Sequence, residues 1–140
     1  MIEQDPQKVW AEYYQRKKAA RKAEAAILWS QMENAGVDED TVLALDFVHF
    51  GNDEDHIRDL SSQLSENYTI TVELTNSGGY SLIKGTTRPE GITLSQEQHL
   101  AWVEFMSDVA QSYACVFSTW SLEAPSLKMR FSSESIESFR

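Results

Sequence analysis

Thr41 to Phe50 is the segment that most limits how this chain can fold. It reads Thr-Val-Leu-Ala-Leu-Asp-Phe-Val-His-Phe and is apolar on both sides when extended. Leu43, Leu45, Phe47 and His49 fall on one face; Val42, Ala44, Asp46, Val48 and Phe50 fall on the other. A strand apolar on both faces is expected inside a sheet, with cover above and below. A chain of 140 residues can build that sheet and its cover as one domain with a real core.

The flanking pattern supplies the other elements. Residues 6–34 are rich in Ala, Gln, Glu, Lys and Arg and predict a helix, with Asp5 as N-cap, Pro6 at the first position and Asn34 or Gly36 at the end. After Gly51-Asn52, the acidic run Asp53-Glu54-Asp55 opens a second helix, where negative charge suits the macrodipole. Its apolar stripe is Ile57, Leu60 and Leu64. Tyr68 to Thr75 alternates, with Tyr68, Ile70, Val72 and Leu74 expected to face the core. Asn76-Ser77-Gly78-Gly79 turns the chain into a return strand from Tyr80 to Thr87. Thr93 or Ser95, with Gln96 or Gln98 beyond, caps a third helix to about Tyr113. Its expected stripe is Trp102, Phe105, Val109 and Tyr113. Ala114 to Leu122 closes the set as a strand, with Ala114, Val116, Ser118, Trp120 and Leu122 on one face and Cys115 and Phe117 on the other.

This order predicts an α+β fold: a ferredoxin-like β-α-β-β-α-β sandwich behind a long N-terminal helix. Three regions are expected: the basic, aromatic helix in 1–36, the α+β domain in 37–125, and a serine-rich tail in 126–140. The N-terminal helix is expected to lay Ile27, Leu28, Trp29 and Met32 over the second sheet face. At 1.5 Å per residue it would span roughly 43 Å. Its far half, with Trp10, Tyr13 and Tyr14, is then expected either to project or to dock on a second copy, with Arg16–Lys22 meeting an acidic body in trans. A homodimer is thus one expected state.

Charge is distributed unevenly. Residues 1–23 hold six basic and three acidic side chains, residues 24–127 three basic and seventeen acidic, and residues 128–140 three basic and two acidic, within a formal net charge of -10. An acidic body repels nucleic acid and attracts basic partners. Asp38, Glu39, Asp40, Asp53, Glu54, Asp55 and Glu123 are the partner-binding candidates. Trp120 has two readings, a core tryptophan or an interface anchor at a strand end.

Catalytic signals are missing. The histidines His49, His56 and His99 lack metal-ligand spacing. Cys115 is the only cysteine and reads as a small buried hydrophobe. No glycine-rich strand-to-helix loop and no nucleophile elbow is present. No catalytic residue, cofactor or metal is assigned. A charged start without an apolar run, the lone thiol and the lack of an 18-residue apolar stretch predict a cytoplasmic protein outside the membrane.

Val42–Phe50, Asp53-Glu54-Asp55, the hairpin, the long third helix and Phe117-Ser118-Thr119-Trp120 together resemble the ribonuclease E inhibitor B family (RraB-like) across residues 41–124. The resemblance implies a ferredoxin-like domain that binds the arginine-rich, non-catalytic part of a ribonuclease and damps RNA decay. In this chain Ser118-Thr119 stands where the family often has Asp-Gly, and the end of the chain is near neutral where founding members are very acidic. The expected function is a non-enzymatic regulator of a basic protein partner. The alternatives are a small-molecule-sensing domain and an immunity-type inhibitor of a basic toxin.

Overall fold

The structure is a computed structural model that describes residues 6–74 and 79–136. Asp5, the turn residues 76–78 and the last four residues lie outside the described set. The order is α1 (Pro6–Asn34), β1 (Ala44–Gly51), α2 (Glu54–Leu64), β2 (Thr69–Glu73), β3 (Ser81–Thr86), α3 (Gln96–Ser112), β4 (Val116–Ala124) and β5 (Met129–Ser132), with short 3-10 turns on either side of β5. The five strands form one antiparallel sheet in the order β2-β3-β1-β4-β5. β1 is therefore the middle strand, as its two apolar faces predict.

Local chemistry sets the helix ends. Gly36 has φ +102, a backbone conformation glycine adopts without strain, and Val37 N–H donates to the Met32 carbonyl at 2.9 Å to close α1. Asp53 caps α2 by accepting from His56 N–H at 3.1 Å. Ser95 and Gln98 form a reciprocal capping box on α3.

All three helices contribute to one core on the same face of the sheet. α2 lies over β3, β1 and β2, α3 over β4, and α1 beside α3 and over β5. The core joins Leu28, Trp29 and Met32 of α1 to Leu45 and Phe47 of β1 and to Trp120 and Leu122 of β4. Each such side chain, fully buried, contributes roughly 1.5–3 kcal/mol. Gly85 belongs to this packing: the end of the Phe47 ring sits against it, where a Cβ would collide.

Several expectations are corrected. α1 does not cover the second sheet face. It joins the helical layer, and on the opposite face of β1 Val48 and Phe50 are only half-buried. In α3 the buried positions are His99, Val103, Met106, Ser107, Val109 and Ala110; of the expected stripe Val109 is buried, Trp102 and Tyr113 are half-buried, and Phe105 is 50% exposed. β2 is an edge strand whose Val72 and Leu74 are exposed. β4 changes phase part-way: Val48 pairs with Thr119 and His49 with Phe117, so Ser118 is an extra residue. That bulge puts Phe117 on the same face as Trp120 and Leu122. Arg21 of α1 donates to the Ser118 carbonyl that the bulge frees. Residues 126–136, read as part of a tail, supply β5 and bury Phe131, Ser133 and Ile136.

Candidate functional site

The acidic candidates divide between the two ends of β1. Asp38, Glu39 and Asp40 are exposed in the link from α1. The Asp38 carboxylate holds this turn, accepting from Asp40 N–H at 2.9 Å and from the Thr41 hydroxyl at 3.1 Å. Asp53, Glu54 and Asp55 are exposed beyond the other end, at the start of α2. An eight-residue strand at about 3.3 Å per residue separates the two groups. They are two patches, not one.

The second patch is larger than its sequence run. Asp55, Asp59 and Glu66 are exposed at intervals of four and seven residues along α2 and just past its end, with exposed Ser62 between them. They occupy the side opposite Ile57, Leu60 and Leu64, all buried. No cation pairs with Asp55, Asp59 or Glu66 among the described residues, whereas Glu54 is bridged to Arg58 at 2.5 Å. Asp59 and Glu66 also border a cleft of about 380 Å³ between α2 and the end of α3, floored by Gln63 and Tyr113. In the sequence, Asp59 and Glu66 are marked only by their spacing against the apolar stripe Ile57, Leu60 and Leu64.

Glu123 is not part of this ridge. It and Asp46 share Arg88, at 2.8 Å and 3.2 Å. Hydrogen bonds to Asp46 and Glu123 hold the Arg88 guanidinium above its ordinary value. Trp120 is 2% exposed and cannot serve as a surface anchor. Its indole N–H donates to His99 Nε2 at 3.0 Å, and its ring stacks on Phe117 with centroids 5.3 Å apart.

The aromatic candidates of α1 separate in the same way. Trp29 is buried against His99, with ring centroids 5.6 Å apart. Tyr14 is buried, and burial pushes its phenol up to about 12. Tyr13 is half-buried, and Trp10, stacked on Tyr14, is 56% exposed. The basic stretch is engaged within the chain: Lys18 meets Asp108 at 3.0 Å, Lys22 reaches Glu104 at 3.8 Å, and Arg21 binds the buried Glu24 at 2.7 Å. For Lys18 and Lys22 the acidic partners are in cis, on α3.

Two imidazoles lie inside the core. His49 is fully buried between Phe47 and Phe117, and neither ring nitrogen has a hydrogen-bond partner. Burial pushes it down to about 3, and His99 down to about 4. Both are neutral near neutral pH.

The uncovered sheet face is shallowly concave and encloses about 290 Å³. Thr69, Thr71, Lys84, Thr119, Ser121 and Arg130 line it. Lys84 is paired with Glu73 at 2.7 Å, and Arg130 is steadied by a 3.0 Å hydrogen bond to the Ser121 hydroxyl. Among the described residues no three His, Cys, Asp or Glu side chains are placed to share a metal ion. No described helix is long and apolar enough to cross a membrane. No family model matches the chain, and no curated protein matches it.

Proposed function

We propose that this protein is a non-enzymatic regulator that binds a basic protein segment along the acidic ridge of α2. The observation that carries the reading is the row Asp55, Asp59 and Glu66, exposed and without cations of its own. From Asp55 to Glu66 the ridge runs for roughly 16 Å at helical rise, the length of a short basic segment. Carboxylates left unpaired in water attract cations over distances set by screening, and they raise the rate of encounter more than the final affinity.

The ferredoxin-like assignment belongs with this reading. It is supported by the all-antiparallel order β2-β3-β1-β4 with α2 and α3 on one face; β5 and α1 are then additions that widen both layers together. The resemblance to ribonuclease E inhibitor B proteins would make the basic segment an arginine-rich part of a ribonuclease.

The test is binding of a labelled arginine-rich peptide, followed by fluorescence anisotropy. The triple variant D55K/D59K/E66K is expected to weaken binding by about tenfold or more. Glu90→Lys, exposed but away from α2, is expected to change it little. Affinity should fall steeply between low and physiological salt. Equal loss in both variants would reduce the effect to net charge and overturn the ridge as the docking site.

A further inference from the structure

A second recognition feature lies where α1 crosses the start of α3. Here Ala25, Ala26 and Trp29 of α1 face Gln96, His99 and Leu100 of α3 across a groove of about 160 Å³, with Lys22 at its rim. This is close to the roughly 150 Å³ that accommodates a single benzene ring in an engineered apolar cavity. The two alanines leave the opening, and Trp29 and Leu100 provide apolar walls.

The floor is polar in a defined way. His99 is 1% exposed, and its Nε2 accepts the Trp120 indole N–H at 3.0 Å. An indole nitrogen only donates, so Nε2 is the bare nitrogen of the ring and Nδ1 carries the hydrogen. Burial, which holds His99 down to about 4, keeps the ring in this neutral form. Nδ1 is given no acceptor by any described residue. His99 lines the groove, so a ligand that supplies an acceptor to Nδ1–H gains a hydrogen bond that no described residue makes.

Two further features favour a negative acceptor. Gln96 and His99 belong to the amino-terminal end of a 17-residue helix, whose dipole favours anions there. Lys22 is partly exposed and holds Glu104 only loosely, at 3.8 Å, so its ammonium can turn toward the groove. Glu97, in the same first turn of α3, is the nearby opposing charge; it is exposed and does not line the groove.

We propose that this groove binds a small aromatic carboxylate, its ring between Trp29 and Leu100 and its carboxylate accepting from His99 Nδ1–H beside Lys22. The site is independent of the α2 ridge, because it shares no residue with it. Its occupant would bridge α1 and α3, tying the long helix more firmly to the rest of the fold.

Benzoate is the probe, titrated into isotopically labelled full-length protein and followed at the Trp29 indole and His99 imidazole resonances. The expected result is a saturable shift of both, with contacts from the benzoate ring protons to the Ala25 and Ala26 methyl groups. Benzylammonium, with a similar ring and opposite charge, should bind at least about tenfold more weakly. Ala26→Leu places bulk in the groove at an exposed helical position and should weaken benzoate by about tenfold or more. The ring-to-methyl contacts decide the matter even if that variant folds poorly. Shifts without those contacts, no saturable shift, or equal binding of benzylammonium would each overturn the proposal.

Discussion

The two faces of the sheet are made by the same strands and share almost no chemistry. Beneath the helices, Leu45, Phe47 and His49 of β1 meet Leu122, Trp120 and Phe117 of β4 in register and are all buried. On the other side, alternate residues of the same strands are Asp46, Val48, Thr119 and Ser121, joined by Thr69, Thr71 and Lys84. Threonine lets this bare face keep the β-branched shape that strands favour while presenting a hydroxyl to water. Side-chain specificity in this fold therefore concentrates in the helical layer, and the open face mainly has to remain soluble.

The contrast is broken most directly by truncating one residue on each side of β1. Phe47 is 2% exposed, packed over Gly85 and in ring contact with Tyr68 and Trp102. Phe47→Ala should cost about 3–5 kcal/mol in urea unfolding. Val48→Ala, one residue along and half-buried on the open face, should cost about 1 kcal/mol or less. Equal losses would mean that another surface covers the open face in solution.

Acid should attack the covered face first. His49 and His99 have folded values near 3 and 4, below the ordinary 6.5, so the native state favours the neutral ring in both. Their contribution is complete above pH 6.5 and is lost as pH falls toward those values, because the unfolded chain binds the protons first. Each ring contributes a slope that rises from about half of 1.4 kcal/mol per pH unit at pH 6.5 to nearly all of it by pH 5, so the pair loses on the order of 3 kcal/mol over that interval. Urea midpoints measured across this interval check the sum. His49→Leu, which removes one titrating ring from an apolar site, should roughly halve the slope. An unchanged slope would show that the carboxylates, not the buried imidazoles, set the acid limit.

What the sequence disclosed depended on whether a pattern was local. The bounds of α1, the acidic start of α2, the Ser95–Gln98 box and the central position of β1 all follow from short-range chemistry. The phase of β4 does not, because one extra residue at Ser118 reverses every later side chain and leaves no mark in composition. The four residues of β5 were too few to stand out from a serine-rich stretch. Pairing of Lys18 and Lys22 with Asp108 and Glu104 becomes visible only once α1 and α3 are known to be neighbours. The acidic candidates were legible as residues but not as a surface: Asp59 and Glu66 join Asp55 only through the face that α2 leaves outside.

The bulge itself can be tested from the helical side. Arg21 reaches the Ser118 carbonyl and holds Glu24, whose side chain is only 5% exposed. Arg21→Met keeps much of the stem but leaves a buried carboxylate without its cation and a carbonyl without its donor. The expected loss is about 2 kcal/mol, below the several kcal/mol of a wholly buried pair because the Arg21 side chain is itself 15% exposed. Arg21→Met/Glu24→Leu should recover most of it. A double variant no better than the single one would place the cost at the Ser118 carbonyl instead of the ion pair.

The smallest effect is expected at Phe105, where the helical layer itself turns outward. The spacing Trp102, Phe105 and Val109 reads as an apolar stripe, and Val109 is buried, yet Phe105 is not; the buried stripe runs through His99, Val103, Met106 and Ala110. That stripe is easily overlooked because it contains one histidine and one small residue, whereas Phe105 attracts attention by size alone. With Phe105 50% exposed, Phe105→Ser should change stability by no more than about 0.5 kcal/mol. Met106, its neighbour, is fully buried, and Met106→Ala should cost about 2–5 kcal/mol. Unfolding measurements on these two variants fix the rotation of α3 on the sheet, since turning the helix by one residue would exchange their effects. The same rotation sets His99 against Trp120 and Trp29, so a large loss at Phe105 would also remove the floor of the groove between α1 and α3.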